Sequence, residues 1–341
     1  MGIDIFSIQP SVVTRDLSGK SFLIYGERKS GKTTTACKFP KPILLAFEKG
    51  YNMLSGVIAQ PINKWPEALD VKRQLLREEA EAVAGKKAET TFKTVIVDTA
   101  DLAFDMCESY ILNKEGVEYL TETEMNRGYR ALSKEFDTFF QDIVRAGYTL
   151  VAISHSDSKQ VKDKVTGEKY DRIQPTIQKR GFQVLARLVD ITAYSSYETD
   201  ESGVTHMMLY MRGDKYLEAG SRNKYTSEKI PFTYEALRDD MAQAIDRLEN
   251  EDGATVVNAP TKAYEPQTES PDFETVFNLI KQYAIQFKEL DLQNKYIAII
   301  EKTLGKGRQV RDCTEDQVDL LALILQDLQD YCKDNGILVS K

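Results

Sequence analysis

Residues 22–34 read FLIYGERKSGKTT, and this stretch decides the fold. Four β-forming residues, Phe22, Leu23, Ile24 and Tyr25, lead into Gly26, and the pattern G-x-x-x-x-G-K-[ST] closes on Gly31, Lys32 and Thr33 before a helix-compatible run, 33–38. A strand, a glycine-bearing turn and a helix start, in that order, make a phosphate site: backbone N–H groups and the helix N-terminus converge on anionic oxygens. The candidate nucleotide cradle is therefore Gly26, Glu27, Arg28, Lys29, Ser30, Gly31, Lys32, Thr33 and Thr34. Lys32 is placed to reach the β- and γ-phosphates, and Thr33 to offer its hydroxyl to Mg2+. Arg28 and Lys29, at variable positions, are expected to face solvent.

Outward from the loop, β-rich runs recur at 43–47, 94–97, 149–154, 191–197 and 206–212, separated by helix-compatible stretches at 66–84, 101–112 and 122–145. Such alternation predicts an α/β fold with a mainly parallel sheet covered by helices. In the last stretch Tyr129, Leu132, Phe136, Phe139, Phe140 and Ile143 recur at helical spacing, which marks a core stripe. TVIVDT (94–99) ends a strand in Asp98, at the edge where open α/β sheets hold ligands, so Asp98 is the second candidate for Mg2+. PILLAF (42–47) runs into Glu48, placed to orient or deprotonate a water, and TLVAISH (149–155) ends in His155, a polar group for the γ-phosphate. Acids and histidines at strand ends also occur as plain surface or hydrogen-bonding residues.

Taken together, SGKTT (30–34), Glu48 in AFEKGYNML, Asp98 and His155 resemble the RecA-like ATPases. The resemblance is closer to the phage-encoded, core-only RecA-like ATPases that act as single-strand annealing proteins, and it spans roughly 20–245. It implies a RecA-like P-loop NTPase core and ATP with Mg2+ as cofactors. It also implies Lys32, Glu48 and His155 as the catalytic set, with Thr33 and Asp98 at the metal. NKYTSEKIPF (223–232), preceded by Arg222, looks like the lysine-bearing segment that contacts a neighbouring subunit's nucleotide. Arg222 and Lys224 would then act in trans, and the protein would be a homo-oligomer, a ring or a filament. His155 departs from the amide that RecA itself carries at the sensor position.

Beyond His155, residues 157–180 hold seven basic residues (Lys159, Lys162, Lys164, Lys169, Arg172, Lys179 and Arg180) against four acids (Asp157, Asp163, Glu168 and Asp171). A turn at 165–168 with flanking alternation predicts a hairpin that carries Tyr170 as a base-stacking platform. A cationic track with an aromatic is how sequence-tolerant single-strand binders work, although a solvated charged hairpin has the same composition. The expected activity is DNA-stimulated ATP hydrolysis on single-stranded DNA in recombination, annealing or replication. Single-strand-binding protein and other replication or recombination proteins are further expected partners. An ATP-gated helicase loader and a small-molecule kinase are the alternatives.

Composition sets the frame for this. The 341 residues carry 45 Lys+Arg against 53 Asp+Glu, a net charge of −8, with 42% hydrophobic residues, as in an ordinary globular protein. Single cores stop growing beyond ~250 to 300 residues, so the expected division is an ATPase domain at 1–249, a proline-bearing linker at 250–271 and a helical module at 272–341. Phe273, Val276, Phe277, Ile280, Ala284 and Phe287 mark a first helix there, and Thr314 with Gln317 the capped start of another. Lys281, Lys288, Lys295 and Lys302 would form one basic stripe if the intervening helix were unbroken. The apolar runs fall far short of the roughly 20 residues a membrane span needs, and no secretory signal or myristoylation pattern opens the chain. Four scattered cysteines and two histidines make no zinc set. A membrane-free location in the cytoplasm, the bacterial host's if the chain is phage-encoded, is the expectation.

Overall fold

The computed structural model describes residues 13–257, 273–305, 307–314, 317–335 and 337. They fall into two compact units, Met1–Tyr264 and Glu265–Lys341. In chain order the first begins β1 (Val13–Thr14), β2 (Ser21–Gly26), α1 (Lys32–Ala36), β3 (Pro42–Ala46), β4 (Ala59–Pro61), α2 (Trp65–Val83), β5 (Thr94–Asp98), α3 (Ala100–Glu115) and α4 (Arg127–Arg145). It continues with β6 (Thr149–Lys162), β7 (Lys169–Pro175), α5 (Lys179–Leu188), β8 (Ile191–Thr199), β9 (Thr205–Tyr210), β10 (Gly220–Ser221), β11 (Lys229–Pro231), α6 (Tyr234–Asp252) and β12 (Val256–Val257).

The main sheet runs β11-β9-β8-β2-β6-β5-β3-β4. All pairings from β8 to β4 are parallel, and β9 and β11 extend the sheet antiparallel. The strand carrying His155 is inserted between the phosphate-loop strand and the strand carrying Asp98, and the fold is the mainly parallel α/β arrangement expected from the sequence.

Side chains alternate across each strand, so both faces are apolar and both are covered. Leu23, Val95, Val97, Leu150 and Ala152 point to one core, where α2, α3, α4 and α5 contribute Trp65, Phe104, Phe136 and Leu185. Phe22, Ile24, Ile96, Val151 and Ile153 point to the other, closed by Ala36 of α1 and by Leu237, Met241 and Ile245 of α6. The aromatic stripe of α4 is core: Phe136, Phe139 and Phe140 are fully buried, each burial contributing about 1.5–3 kcal/mol. Thr99 caps α3 and Thr233 caps α6, each accepting a backbone N–H three residues on.

One sequence boundary differs from the structure here. Helix α6 continues through Asp252, and β12 returns to pair with β1, so 250–257 belongs to the core unit and not to a linker. The remainder of that stretch, 258–271, lies outside the described residues.

The second unit holds α7 (Phe273–Glu289), α8 (Gln293–Leu304) and α9 (Val318–Asp334), packed around Ile280, Phe287, Leu321, Ile324 and Leu328. Gln317 accepts the Thr314 backbone N–H at 3.1 Å, half of the reciprocal capping box. A break between α7 and α8 puts Lys281 and Lys288 on one helix and Lys295 and Lys302 on the next, which overturns the single basic stripe. Among the described residues no helix is long and apolar enough to cross a membrane.

Candidate nucleotide site

The parallel register brings five strands level at one edge: Gly26 lies beside His155 and Ser195, and Asp98 beside Ala46 and Ile153. The loop after β2 then turns into α1. Arg28 and Lys29 are exposed, as expected of the variable positions, while Ser30 and Lys32 are buried. The Lys32 ammonium donates to the carbonyls of Gly26 at 2.9 Å and Glu27 at 2.6 Å and to the Ser30 hydroxyl at 3.3 Å. Burial pulls its pKa down to about 8 against the opposing pull of Asp98 and Glu48.

The Thr33 hydroxyl donates to Asp98 Oδ2 at 2.6 Å. Asp98 is only 5% exposed, and burial raises its pKa, an effect the Thr33 hydrogen bond opposes. Glu48 follows β3 in a bend, where the backbone N–H groups of Phe47 and Glu48 both donate to the Asp98 carbonyl, at 2.8 and 3.3 Å. Its carboxylate lies 3.7 Å from His155 Nε2. His155 Nδ1 is buried and has no hydrogen-bond partner among the described residues. The structure therefore brings Lys32, Thr33, Glu48, Asp98 and His155 to one sheet edge.

Two groups here escaped the sequence reading. Ser195 on β8 is fully buried beneath the loop, its hydroxyl 3.1 Å from Ser30 Oγ and donating to the Tyr25 carbonyl at 3.3 Å. A Cβ at Gly26 would sit 2.2 Å from Ser195 Oγ and 2.4 Å from its carbonyl oxygen, so glycine is required there by close approach of two strands. Asp101, in the first turn of α3, accepts from the Thr176 hydroxyl, and its other oxygen is buried without a partner among the described residues. Thr176 also donates its N–H to the His155 carbonyl at 3.0 Å.

Strand β6 runs through His155 without a break into the predicted hairpin, which pairs antiparallel with β7 from Ser156–Pro175 to Lys162–Lys169. Its turn, 163–168, is capped by Asp163, whose Oδ1 accepts the N–H groups of Val165 and Thr166 at 2.8 and 3.1 Å. Lys159, Lys162, Lys164 and Lys169 project from it into solvent. Tyr170 is half-buried against Tyr216, and Arg172 pairs with Glu218 at 2.7 Å. Lys179 and Arg180 are not on the hairpin. The chain leaves β7 at Pro175 and begins α5 at Lys179, and Arg180 stacks on Tyr129 at 4.3 Å. The hairpin proper carries five basic residues and four acids, a smaller excess than the contiguous sequence suggests. Arg222 pairs with Asp190 and donates to the Arg187 carbonyl, and Lys224 pairs with Asp252, all within the chain.

Residues 18–223, more than half of the chain, match the family described as the AAA domain. The chain belongs to that family of P-loop NTPases. The match to the AAA domain takes in the loop, Glu48, Asp98, His155 and the hairpin. A relative from Bacillus subtilis (strain 168), the SPbeta prophage-derived uncharacterized protein YorG, is 30% identical over 97% of this chain and 99% of its own. Among solved structures, a KaiC-like protein from Pyrococcus horikoshii OT3 aligns over 63% of this chain and 85% of its own at 12% identity, with a TM-score of 0.32.

Proposed function

We propose that this protein is a phage-type ATPase that hydrolyses Mg2+-ATP at the loop 26–34 and couples the nucleotide's state to the hairpin, which engages single-stranded DNA. The single observation that carries the reading is the convergence of Lys32, Thr33, Asp98, Glu48 and His155 at the edge from which the hairpin strand continues. The prophage-derived relative supports the phage setting.

The donor set fits Mg2+. A threonine hydroxyl and a carboxylate 2.6 Å apart are the hard oxygens this cation takes, with phosphate oxygens and waters completing its shell. When bound, the cation neutralises charge on the phosphate oxygens. Lys32 would exchange its loop carbonyls for β- and γ-phosphate oxygens. Glu48 would take the proton of the water that attacks the γ-phosphorus as ADP leaves, and His155 would hold that carboxylate in place from 3.7 Å. Because the strand that carries His155 runs on into the hairpin, a change at the γ-phosphate would bias the hairpin's position directly.

Steady-state ATP hydrolysis with and without single-stranded DNA, at two salt concentrations, tests both halves. Turnover that is lost in Lys32→Ala and stimulated by single strands in a salt-sensitive way is the expected result. Turnover indifferent to DNA would remove the nucleic-acid half, and phosphorylation of a nucleoside acceptor would replace the reading with a kinase.

A further inference from the structure

The hairpin is not a free-standing two-stranded arm. Residues 213–218, from the connection between β9 and β10, lie along its outer strand: Ile173 N–H donates to the Tyr216 carbonyl at 2.8 Å, and Glu218 N–H donates to the Ile173 carbonyl at 3.0 Å. The segment therefore runs alongside the hairpin as a third stretch of chain, joined to it by one bridge at Ile173. Within the hairpin Lys159 is opposite Arg172 and Val161 opposite Tyr170, and directly opposed residues share a face. On that face Tyr216 meets Tyr170 edge-on at 5.7 Å between ring centroids, and Arg172 meets Glu218. The Lys215 ammonium lies 4.8 Å from the Tyr216 centroid and 5.7 Å from that of Tyr170.

This added segment is held firmly. Asp214 Oδ1 accepts the N–H groups of Tyr216 and Leu217 at 2.7 and 2.9 Å. Gly213 has no room for a side chain, since a Cβ would sit 2.3 Å from the Leu217 carbonyl oxygen. The Tyr25 hydroxyl, from the strand that leads into the phosphate loop, donates to the Glu218 carbonyl at 2.7 Å. Yet the tip of the segment is not buried: Lys215 is exposed and Tyr216 is 49% exposed. Of the acids around it, Asp163 and Asp214 accept backbone N–H groups and Glu218 pairs with Arg172, while Asp163 and Glu168 act on Lys215 only at longer range. Neither Lys159 nor Lys215 has an ion-pair partner among the described residues. A fixed, half-exposed aromatic flanked by unpaired cations is what stacks a base and holds its phosphates.

We propose that Lys215 and Tyr216 form a nucleotide-stacking subsite for single-stranded nucleic acid, Tyr216 taking a base and Lys215, with Lys159 across the face, taking the adjoining phosphates. This rests on the reading of the hairpin as a single-strand binder and adds to it a second, distant chain segment. The Tyr25 hydrogen bond ties that segment to the phosphate-loop strand as well, so the subsite is connected to the nucleotide by a route separate from β6.

The test is binding of the full chain to a fluorescein-labelled oligothymidylate, read by anisotropy across a salt series, beside the same oligonucleotide made abasic. Tyr216→Ala is expected to weaken binding to the thymidylate about tenfold, Tyr216→Phe to restore it, and the abasic strand to bind wild type and Tyr216→Ala alike. Lys215→Ala is expected to reduce the slope of log K against log salt by about 0.7. Circular dichroism melts matching wild type show that each variant is folded. Wild-type affinity in a folded Tyr216→Ala overturns the subsite and leaves the hairpin reading intact. Equal loss on the thymidylate and abasic strands overturns stacking and points to a general polyanion surface, such as one for an acidic protein segment. Failure of the wild type to bind either strand overturns both the hairpin reading and the subsite.

Discussion

The phosphate loop and the hairpin leave neighbouring strands at the same edge of the sheet, but they are built on opposite terms. At the loop the functional groups are buried and crowded, with Lys32 and Asp98 each 5% exposed and Gly26 pressed against Ser195. At the hairpin the groups are more open to water: Arg172 and Glu218 keep 30% and 34% of their side chains exposed, although Arg172 Nε is buried, and Lys159 has no ion-pair partner among the described residues. Burial makes each polar contact costly to lose, whereas exposure lets water substitute for most of it. The first region should therefore fail sharply under single substitutions and the second by degrees.

Glu48→Gln should show the sharpest failure. The amide keeps the shape and can still meet His155 but cannot accept the water's proton, so kcat should fall by about 10²–10⁴ while ATP binding, which rests on Lys32 and the loop, persists. Single-turnover hydrolysis alongside a nucleotide-binding titration separates the two. Lost binding with unchanged turnover per bound nucleotide would mean that Glu48 shapes the loop and does no chemistry.

This contrast also explains what could be read from the residues alone. The loop was legible because its parts are contiguous, and Asp98, Glu48 and His155 because each ends an apolar β-run whose register a parallel sheet fixes. Ser195 was not, because its role is a close approach between β2 and β8 that leaves no mark in SSYET (195–199) beyond a small residue. The hairpin turn was legible from Gly167 and the flanking alternation, but its working face was not. Tyr216 and Lys215 reach it through one main-chain bridge at Ile173, far along the chain from Tyr170. The same distinction accounts for the basic residues at 179–180. Spacing along the chain made them continuous with the hairpin, whereas Pro175 ends the strand and the Val184 and Leu185 positions commit 179–188 to a core-facing helix. In the helical unit the lysine period carried across α7 and α8, and nothing in that period registers the break between them.

A middle-sized effect is expected from Gly26→Ala. The added methyl would lie within 2.4 Å of a backbone oxygen of β8, which no rotamer change can move aside. Overpacking of this kind costs about 1–3 kcal/mol, measurable as a lower denaturant midpoint, with nucleotide affinity lost in parallel as the loop shifts. Pairing it with Ser195→Ala sharpens the point: removing the hydroxyl relieves the 2.2 Å contact and leaves the one to the carbonyl, so rescue should be partial. Full rescue would show that the strands can separate and that the loop's crowding is a side-chain matter alone.

The smallest effect belongs to the Arg172–Glu218 pair that pins residues 213–218 to the hairpin face. With both partners about a third exposed, a double-mutant cycle with Arg172→Gln and Glu218→Gln should give a coupling of about 0.2–1 kcal/mol, shrinking as salt is added. The main-chain bonds at Ile173 and the Tyr25 hydroxyl would hold the segment without it. A coupling of several kcal/mol would reverse the comparison, since it would place the pair in a low-dielectric setting and make the hairpin face as tightly built as the phosphate loop. A coupling near zero would assign the registration of residues 213–218 against the hairpin to the backbone alone, leaving Arg172 available to a phosphate when a strand is bound.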